Sequence, residues 1–485
     1  MKHYNKHTKQ YWLLFIIALV FIFSRFFNLS NTLHIFGDTA RDLLVIEDWF
    51  QTIKPPLLGP HTSALSFNQS AWYFYLLMPF YVFSGQSIFS PNIAIITLYC
   101  LLFFLTVKLW RDKQLEYSGL LTLILLTTLH PQVLQQTRDI WNPSIILPFF
   151  LVGTFAWFKL LKTYSKKLIW IFALAMMFCI GANYSIIPTI FVMCILLIWQ
   201  LVKQKPFKNR LKHVSALLMA LFVSTILVNI GTIGYELRYN FQLTKNLPNQ
   251  QVLQVSQNIP DKLSKIIQYS WGTSSTTMGT LLSLGLILLV VYGYKRLNKE
   301  HRLFLTSASV LLLSSILLTL LLPFQVYEHY VFGFIGLILV IIALLPNKSK
   351  VVIVTALVCV YFWQFSKTDV FAPSSPTLSQ KQICIDLVCD KYSSYLYVVG
   401  NTSSHDHQAL GYEYLGQRRG CKTVSILKYP KYMPSTMVVF SENTLFDQEN
   451  TDFYELNQFG PREHLKQIDC HNNITADVFT RLVVK

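Results

Sequence analysis

The chain alternates long apolar runs with short basic segments, and that alternation admits one broad class of fold. A helix needs about 20 apolar residues to cross roughly 30 Å of hydrocarbon. Runs of that kind are centred near 11–29, 93–110, 117–134, 145–161, 168–184, 186–202, 214–234, 279–294, 303–322, 330–346 and 350–365, which predicts about 11 crossings. Charged residues make up 13% of the 485, against about 25% in a usual soluble domain. Ser24-Arg25-Phe26-Phe27 stands where a small-residue cleavage site would follow the first run, so the first span is expected to stay. The reading is an α-helical polytopic membrane protein.

A net charge of +17 would also suit nucleic acid, and the placement of the basic residues decides the matter. With the N-terminus inside, the inside segments hold 21 Lys and Arg, among them Lys108, Arg111, Lys159, Lys162, Lys166, Lys167, Lys295, Arg296, Lys299 and Arg302. The outside loops hold seven: Arg41, Lys54, Arg138, Arg238, Lys245, Lys262 and Lys265. The excess recurs at every inside loop, which predicts a cytoplasmic N-terminus and an extracytoplasmic C-terminus. Nucleic acid is therefore not expected as a partner; membrane lipids are.

The apolar stretch Ala71 to Gly85 is too short to cross, and counting it would put Lys108–Lys113 outside, so it reads as an interfacial or re-entrant helix. The first outside loop then runs over 30–92, and two domains are expected: a transmembrane domain over 1–365 and a small extracytoplasmic α/β domain over 366–485. In the latter, β-like runs stand at Tyr395–Val399, Thr423–Leu427, Thr436–Phe440 and Phe479–Val484. Cys384, Cys389, Cys421 and Cys470 also lie there and permit two disulfides in any of three pairings.

Acids crowd the outer face of the membrane half: Asp38, Asp42, Glu47, Asp48, Asp139, Glu236, Asp261 and Glu328, against Asp112, Glu116 and Glu300 inside. Chemistry that needs carboxylates is therefore expected outside. In Phe36-Gly37-Asp38-Thr39-Ala40-Arg41-Asp42, Asp38 takes the N-cap position of an amphipathic helix, where it either caps or, desolvated by Phe36 and Trp49, acts as a general base toward an acceptor hydroxyl. Arg41 shares its helix face and either holds an anion or restrains Asp38, with Asp42 as a structural partner of Arg41. Lys54-Pro55-Pro56-Leu57-Leu58-Gly59-Pro60-His61 reads as a rigid extended turn flooring an acceptor groove, with His61 near a phosphate or simply solvated.

Arg138-Asp139 in the second outside loop is a charged pair at a membrane boundary, a functional candidate by default. Asn142-Pro143 behind it is a helix start. Tyr327-Glu328-His329-Tyr330, between two long spans, has the groups to bind a phosphate or pyrophosphate, order a water, or ligate a metal with Asp139 or Asp38. Tyr184, in a tight outside turn, is an aromatic-belt residue or lines the acceptor side. His405-Asp406-His407 has ligand types but a common spacing. No GxxxxGK[ST] or GxGxxG loop is present.

These features together, the first span, the loop opening Phe36-Gly37-Asp38-Thr39-Ala40-Arg41-Asp42, the Leu57-Leu58-Gly59-Pro60 turn, Arg138-Asp139 with Trp141-Asn142-Pro143, and the C-terminal outside domain, resemble bacterial GT-C fold glycosyltransferases. The resemblance is to the group related to protein O-mannosyltransferases and the aminoarabinose lipid A transferase, and it covers the membrane half only. It implies inverting transfer of a hexosyl or pentosyl unit from a polyprenyl-phosphate sugar to a lipid, glycan or protein acceptor. Asp38 matches that group's base, and Asp139 an acidic position of its second loop. Arg138, His329, Arg41 and Tyr330 are then expected at the donor phosphate, and Asp42, His61, Glu328 and Tyr184 on the acceptor side or behind it. No cofactor is implied beyond a divalent cation; Asp38 is followed by Thr39 where relatives often carry a second acid, which leaves Asp42 or Asp139 as the nearby second carboxylate. Two other readings stand beside this one, a surface-polysaccharide polymerase or ligase and a non-catalytic transporter of lipid-linked sugar; the absence of acids from the span centres favours an enzyme.

Overall fold

Hydrocarbon offers no partner for backbone N–H and C=O groups, so a crossing segment has to be helical. The computed structural model places each apolar run mainly on helix. It describes residues 2–35, 37–61, 68–111, 115–203, 207–246, 257–323, 325–368, 370–392, 395–402, 407–426, 434–442, 454–471 and 473–482.

Seven of the described helices are long and apolar enough to cross a membrane: Ser90–Arg111, Asn142–Lys162, Tyr184–Lys203, Leu211–Val228, Thr276–Tyr294, Lys299–Leu321 and Asn347–Phe365. The other expected crossings fall on shorter apolar helices, Gln10–Phe26, Tyr117–Leu129, Lys166–Ala182 and Glu328–Leu344. The run over 117–134 is cut at Leu129 because Pro131 forces His130 into an extended conformation, φ −62° and ψ 121°, and a separate helix Pro131–Gln136 begins. Ala71–Gly85 becomes the 12-residue helix Trp72–Phe83, about 18 Å long and short of the slab.

The chain divides into two compact units, Met1–Arg25 with Pro55–Thr368 and Phe26–Lys54 with Asp369–Lys485. In the first, the helices Ile146–Lys162 and Lys166–Ala182 pack antiparallel across a three-residue turn, and the Ser165 hydroxyl accepts from the Leu168 amide at 3.4 Å to start the second. Leu57-Leu58-Gly59-Pro60 is part of a strand: β1, Leu58–His61, pairs antiparallel with β2, Asn68–Ser70. A Cβ at Gly59 would run into the Ser70 carbonyl, so only glycine lets the two strands close.

Arg25, at the end of the first helix, is fully buried. Its guanidinium lies 4.0 Å from the Phe21 ring centroid and donates to the Thr137 hydroxyl at 3.1 Å and to the Thr128 and Thr127 carbonyls at 2.7 and 3.3 Å. It ties the first span to the turn after Pro131–Gln136.

The second unit is built on a five-stranded sheet in the order β4-β3-β5-β7-β6, from β3 Tyr397–Asn401, β4 Thr423–Ser425, β5 Thr436–Glu442, β6 Arg462–Asp469 and β7 Ile474–Arg481. The pairs β3–β4 and β3–β5 are parallel, β5–β7 and β7–β6 antiparallel. Val398, Met437, Val439 and Phe479 form its core with Leu456 and Phe459 of the helix Tyr454–Phe459. Strand β6 carries no apolar alternation, being a mostly exposed edge strand rich in charge. The disulfides are Cys384–Cys470 and Cys389–Cys421, both anchoring the helix Leu378–Tyr392. Residues 26–54, from the first predicted loop, group with this unit: the helix Gly37–Thr52 packs on the helix Leu410–Arg419.

Peptide mapping without reductant should recover only the 384–470 and 389–421 linkages. Replacing Cys384 and Cys470 together by Ser should cost about 4 kcal/mol of stability in thermal or denaturant unfolding, as expected for a long closed loop.

Candidate active site

The first-loop acids are sorted by one helix. In Gly37–Thr52 the buried positions are Thr39, Ala40, Asp42, Leu43, Ile46 and Glu47, a stripe of helical period. Asp38 is not the N-cap: it lies inside the first turn, where a carboxylate is favoured by the helix dipole. Phe36, invoked to desolvate it, lies outside the described residues.

Asp42 is 2% exposed and Asp38 is 42% exposed. Arg41 bridges them: its Nη1 pairs with Asp38, and its Nε and Nη2 donate to Asp42 Oδ1 at 2.9 and 2.7 Å. The helix thus keeps one carboxylate in reach of solvent and buries the other beside the same cation. Glu47 is also buried, accepts from Gln51 at 2.8 Å, and its negative charge adds to the burial that raises the ordinary titration point of Tyr414 on the neighbouring helix. Tyr414 accepts from Arg418 at 3.0 Å.

The residues around Arg138-Asp139 and those around Glu328-His329 meet each other within the first unit. Pro131–Gln136 ends in the turn Thr137-Arg138-Asp139, with the Asp139 amide donating to the Gln135 carbonyl at 2.8 Å. Gln136 joins the two loops. Its carbonyl oxygen accepts from the Trp141 indole, and its amide donates to Glu328 at 3.4 Å. His329 packs edge-on to Trp141 at 4.6 Å and to Tyr330 at 4.5 Å. Burial pushes the Asp139 carboxyl up to about 7; the Arg138 charge opposes the shift and the Glu328 charge adds to it.

Arg138 is 3% exposed. Its Nη1 donates to the Ser24 and Arg25 carbonyls at 2.9 and 3.2 Å, at the C-terminal end of the first helix. Asn92 donates to its backbone carbonyl at 2.7 Å. Asn142 does not cap: it is the first residue of the 3-10 turn Asn142–Ile145, and its amide is drawn to Gln69 and to the Ala182 carbonyl.

Tyr184 and His61 belong to the hairpin side of this unit. The Tyr184 hydroxyl donates to the Asn68 carbonyl at 3.2 Å, and Asn68 is the register partner of His61, which is exposed. Among the described residues no three His, Cys, Asp or Glu side chains are placed to hold one metal ion. His405 and Asp406 fall outside the described residues, as does the His407 side chain. Sequence reasoning passed over Arg25 and Gln136, whose signals, a charge ending an apolar run and an amide in a polar turn, are both common.

The sequence matches no protein-family model and no curated protein. Among solved structures it is similar to ArnT from Cupriavidus metallidurans in the apo state, with a TM-score of 0.61 at 10% identity over 98% of both chains. For the same protein bound to undecaprenyl phosphate the TM-score is 0.58 at 10% identity, over 96% of this chain and 97% of that one. The arabinofuranosyltransferase AftD from Mycobacteria gives 0.55 at 12% identity over 98% of this chain and 40% of that one. At such identities the likeness is one of fold.

Two outcomes follow for the acids. Between about pH 4 and pH 7 folded Asp139 holds a proton that the unfolded chain has released, so stability falls as pH rises through that window, by at most about 1.4 kcal/mol per unit. Asp139→Asn should flatten that segment of a thermal-melt series. Arg41→Met, which strips the guanidinium from buried Asp42, should cost about 3 kcal/mol, whereas Asp38→Asn at the exposed end should leave the melting temperature nearly unchanged.

Proposed function

Starting from the GT-C fold of this multi-pass membrane protein, we propose that it is a glycosyltransferase acting on the extracytoplasmic face. It takes a sugar from a polyprenyl-phosphate donor and passes it to an acceptor hydroxyl with inversion. The acceptor oxygen bonds to the anomeric carbon as the bond to the phosphate oxygen breaks; that electron pair leaves with polyprenyl phosphate, and the hydroxyl proton passes to Asp38. The observation that carries the reading is the contrast on one helix between exposed Asp38 and buried Asp42, with Arg41 holding both. A base must reach its proton directly or through one water.

The likeness to ArnT bound to undecaprenyl phosphate supports a polyprenyl lipid as donor carrier. The two disulfides suit an oxidising, extracytoplasmic setting for the C-terminal domain, with the N-terminus in the cytoplasm. Arg41 restrains Asp38, and Asp42 anchors Arg41. Asp139, titrating near neutrality, is the second acid–base group. Arg138, His329 and Tyr330 serve the departing phosphate, where fixed positive charge and donors count most. Glu328, Tyr184 and His61 serve the acceptor side. The sugar is a hexose or a pentose, and the acceptor a lipid, glycan or protein.

Purified protein given a labelled polyprenyl-phosphate monosaccharide should transfer the label, and Asp38→Asn should lower kcat by about a hundredfold to ten-thousandfold while its melting curve stays that of the wild type. Transfer at the wild-type rate by that variant defeats the base assignment. Turnover of a polyprenyl-diphosphate oligosaccharide alone would mark a polymerase or ligase instead, and flipping of either lipid without bond breakage a transporter.

A further inference from the structure

The helices Ile146–Lys162 and Phe332–Leu344 both start at the Asp139–Glu328 cluster, and at 17 and 13 residues they reach about 25 and 20 Å away from it. At their far ends they meet Lys299–Leu321 and Tyr117–Leu129 around a cavity of about 270 Å³. Its walls are apolar, with Leu123, Phe155, Phe158 and Phe304 among them, and Phe158 packs on Phe304 at 4.8 Å. Its mouth is not: Lys159, Lys162 and Glu300 line it.

Lys162 pairs with Glu300, but the two side chains are 40% and 43% exposed, so the pair is weak and exchangeable. Lys159 is half-buried at the same mouth and has no ion-pair partner among the described residues. Two lysines against one glutamate leave one positive charge in excess over an opening made for hydrocarbon.

We propose that this cavity binds an acidic phospholipid of the surrounding bilayer, one acyl chain between the aromatic walls and the phosphodiester between Lys159 and Lys162. The charge selects the class. A phosphodiester lipid with an uncharged headgroup carries one negative charge and balances the mouth, whereas a zwitterionic lipid carries none. The apolar walls exclude a free soluble anion as the preferred occupant, because such an ion would leave the cavity unfilled. The cavity lies at the other ends of these helices from Asp139, and none of its lining residues is assigned to transfer.

The full chain in a neutral detergent, titrated with phosphatidylglycerol and separately with phosphatidylcholine of the same acyl chains, tests this through the thermal unfolding midpoint. Phosphatidylglycerol should raise the midpoint saturably and phosphatidylcholine should not. Lys159→Gln should need about fivefold more phosphatidylglycerol for half of the shift, the loss expected for one lysine at an anionic surface. Glu300→Gln, which removes the competing carboxylate, should need less. Equal responses to the two lipids overturn the assignment. So does unchanged phosphatidylglycerol dependence in Lys159→Gln or, should that variant not fold, in Glu300→Gln. A Lys159-dependent shift produced by undecaprenyl phosphate and not by phosphatidylglycerol would also overturn it, giving the cavity to a different lipid.

Discussion

A guanidinium that serves two carboxylates at once sets the terms of the proposed chemistry. Arg41 reaches Asp38 at the exposed end of its helix face and Asp42 on the buried side. Burying a lone carboxylate costs several kcal/mol, and a forked, permanently charged partner is the usual remedy. With Asp42 held on one side of the fork, Asp38 is fixed on the other without losing contact with water. A lysine would supply the charge but not the fork, and the two acids would then compete for a single point of attraction.

Arg25 solves a different problem in the first unit. It is buried wholly, and what surrounds it is carbonyls, the Thr137 and Ser24 hydroxyls and an aromatic face. Arg138 makes a matching arrangement in reverse, donating to the carbonyls where the first helix ends. Helix ends leave carbonyls without intrahelical partners, and both arginines use such carbonyls as acceptors. This stitches the first span to the Thr137-Arg138-Asp139 turn, and Gln136 then couples that turn to Glu328.

Much of this was legible in the residues alone because hydrophobic length and charge placement are local properties. The apolar helices and the shortness of Trp72–Phe83 both follow from them. Several features were not legible, each for a physical reason. Pro131 ends a helix inside a run that hydropathy alone reads as continuous. Strand β6 escapes any pattern search because its edge position leaves seven of its eight residues outside the buried class, five of them exposed. Asn142 looks like a cap by type and spacing but is captured by the Ala182 carbonyl, a partner 40 residues away. The partnership of Gly37–Thr52 with Leu410–Arg419 spans most of the chain, and no local signal encodes it.

That last partnership bears on how the protein is made. The Gly37–Thr52 helix leaves the ribosome early, while its packing surface on Leu410–Arg419 is encoded hundreds of codons later. At about 5–20 residues per second the interval is on the order of tens of seconds. Throughout that time the helix lacks this partner, and every intervening apolar helix is made before it arrives. Assembly of this unit therefore waits for Leu410–Arg419, and a ribosome that stops short of that helix leaves the proposed catalytic helix unmoored.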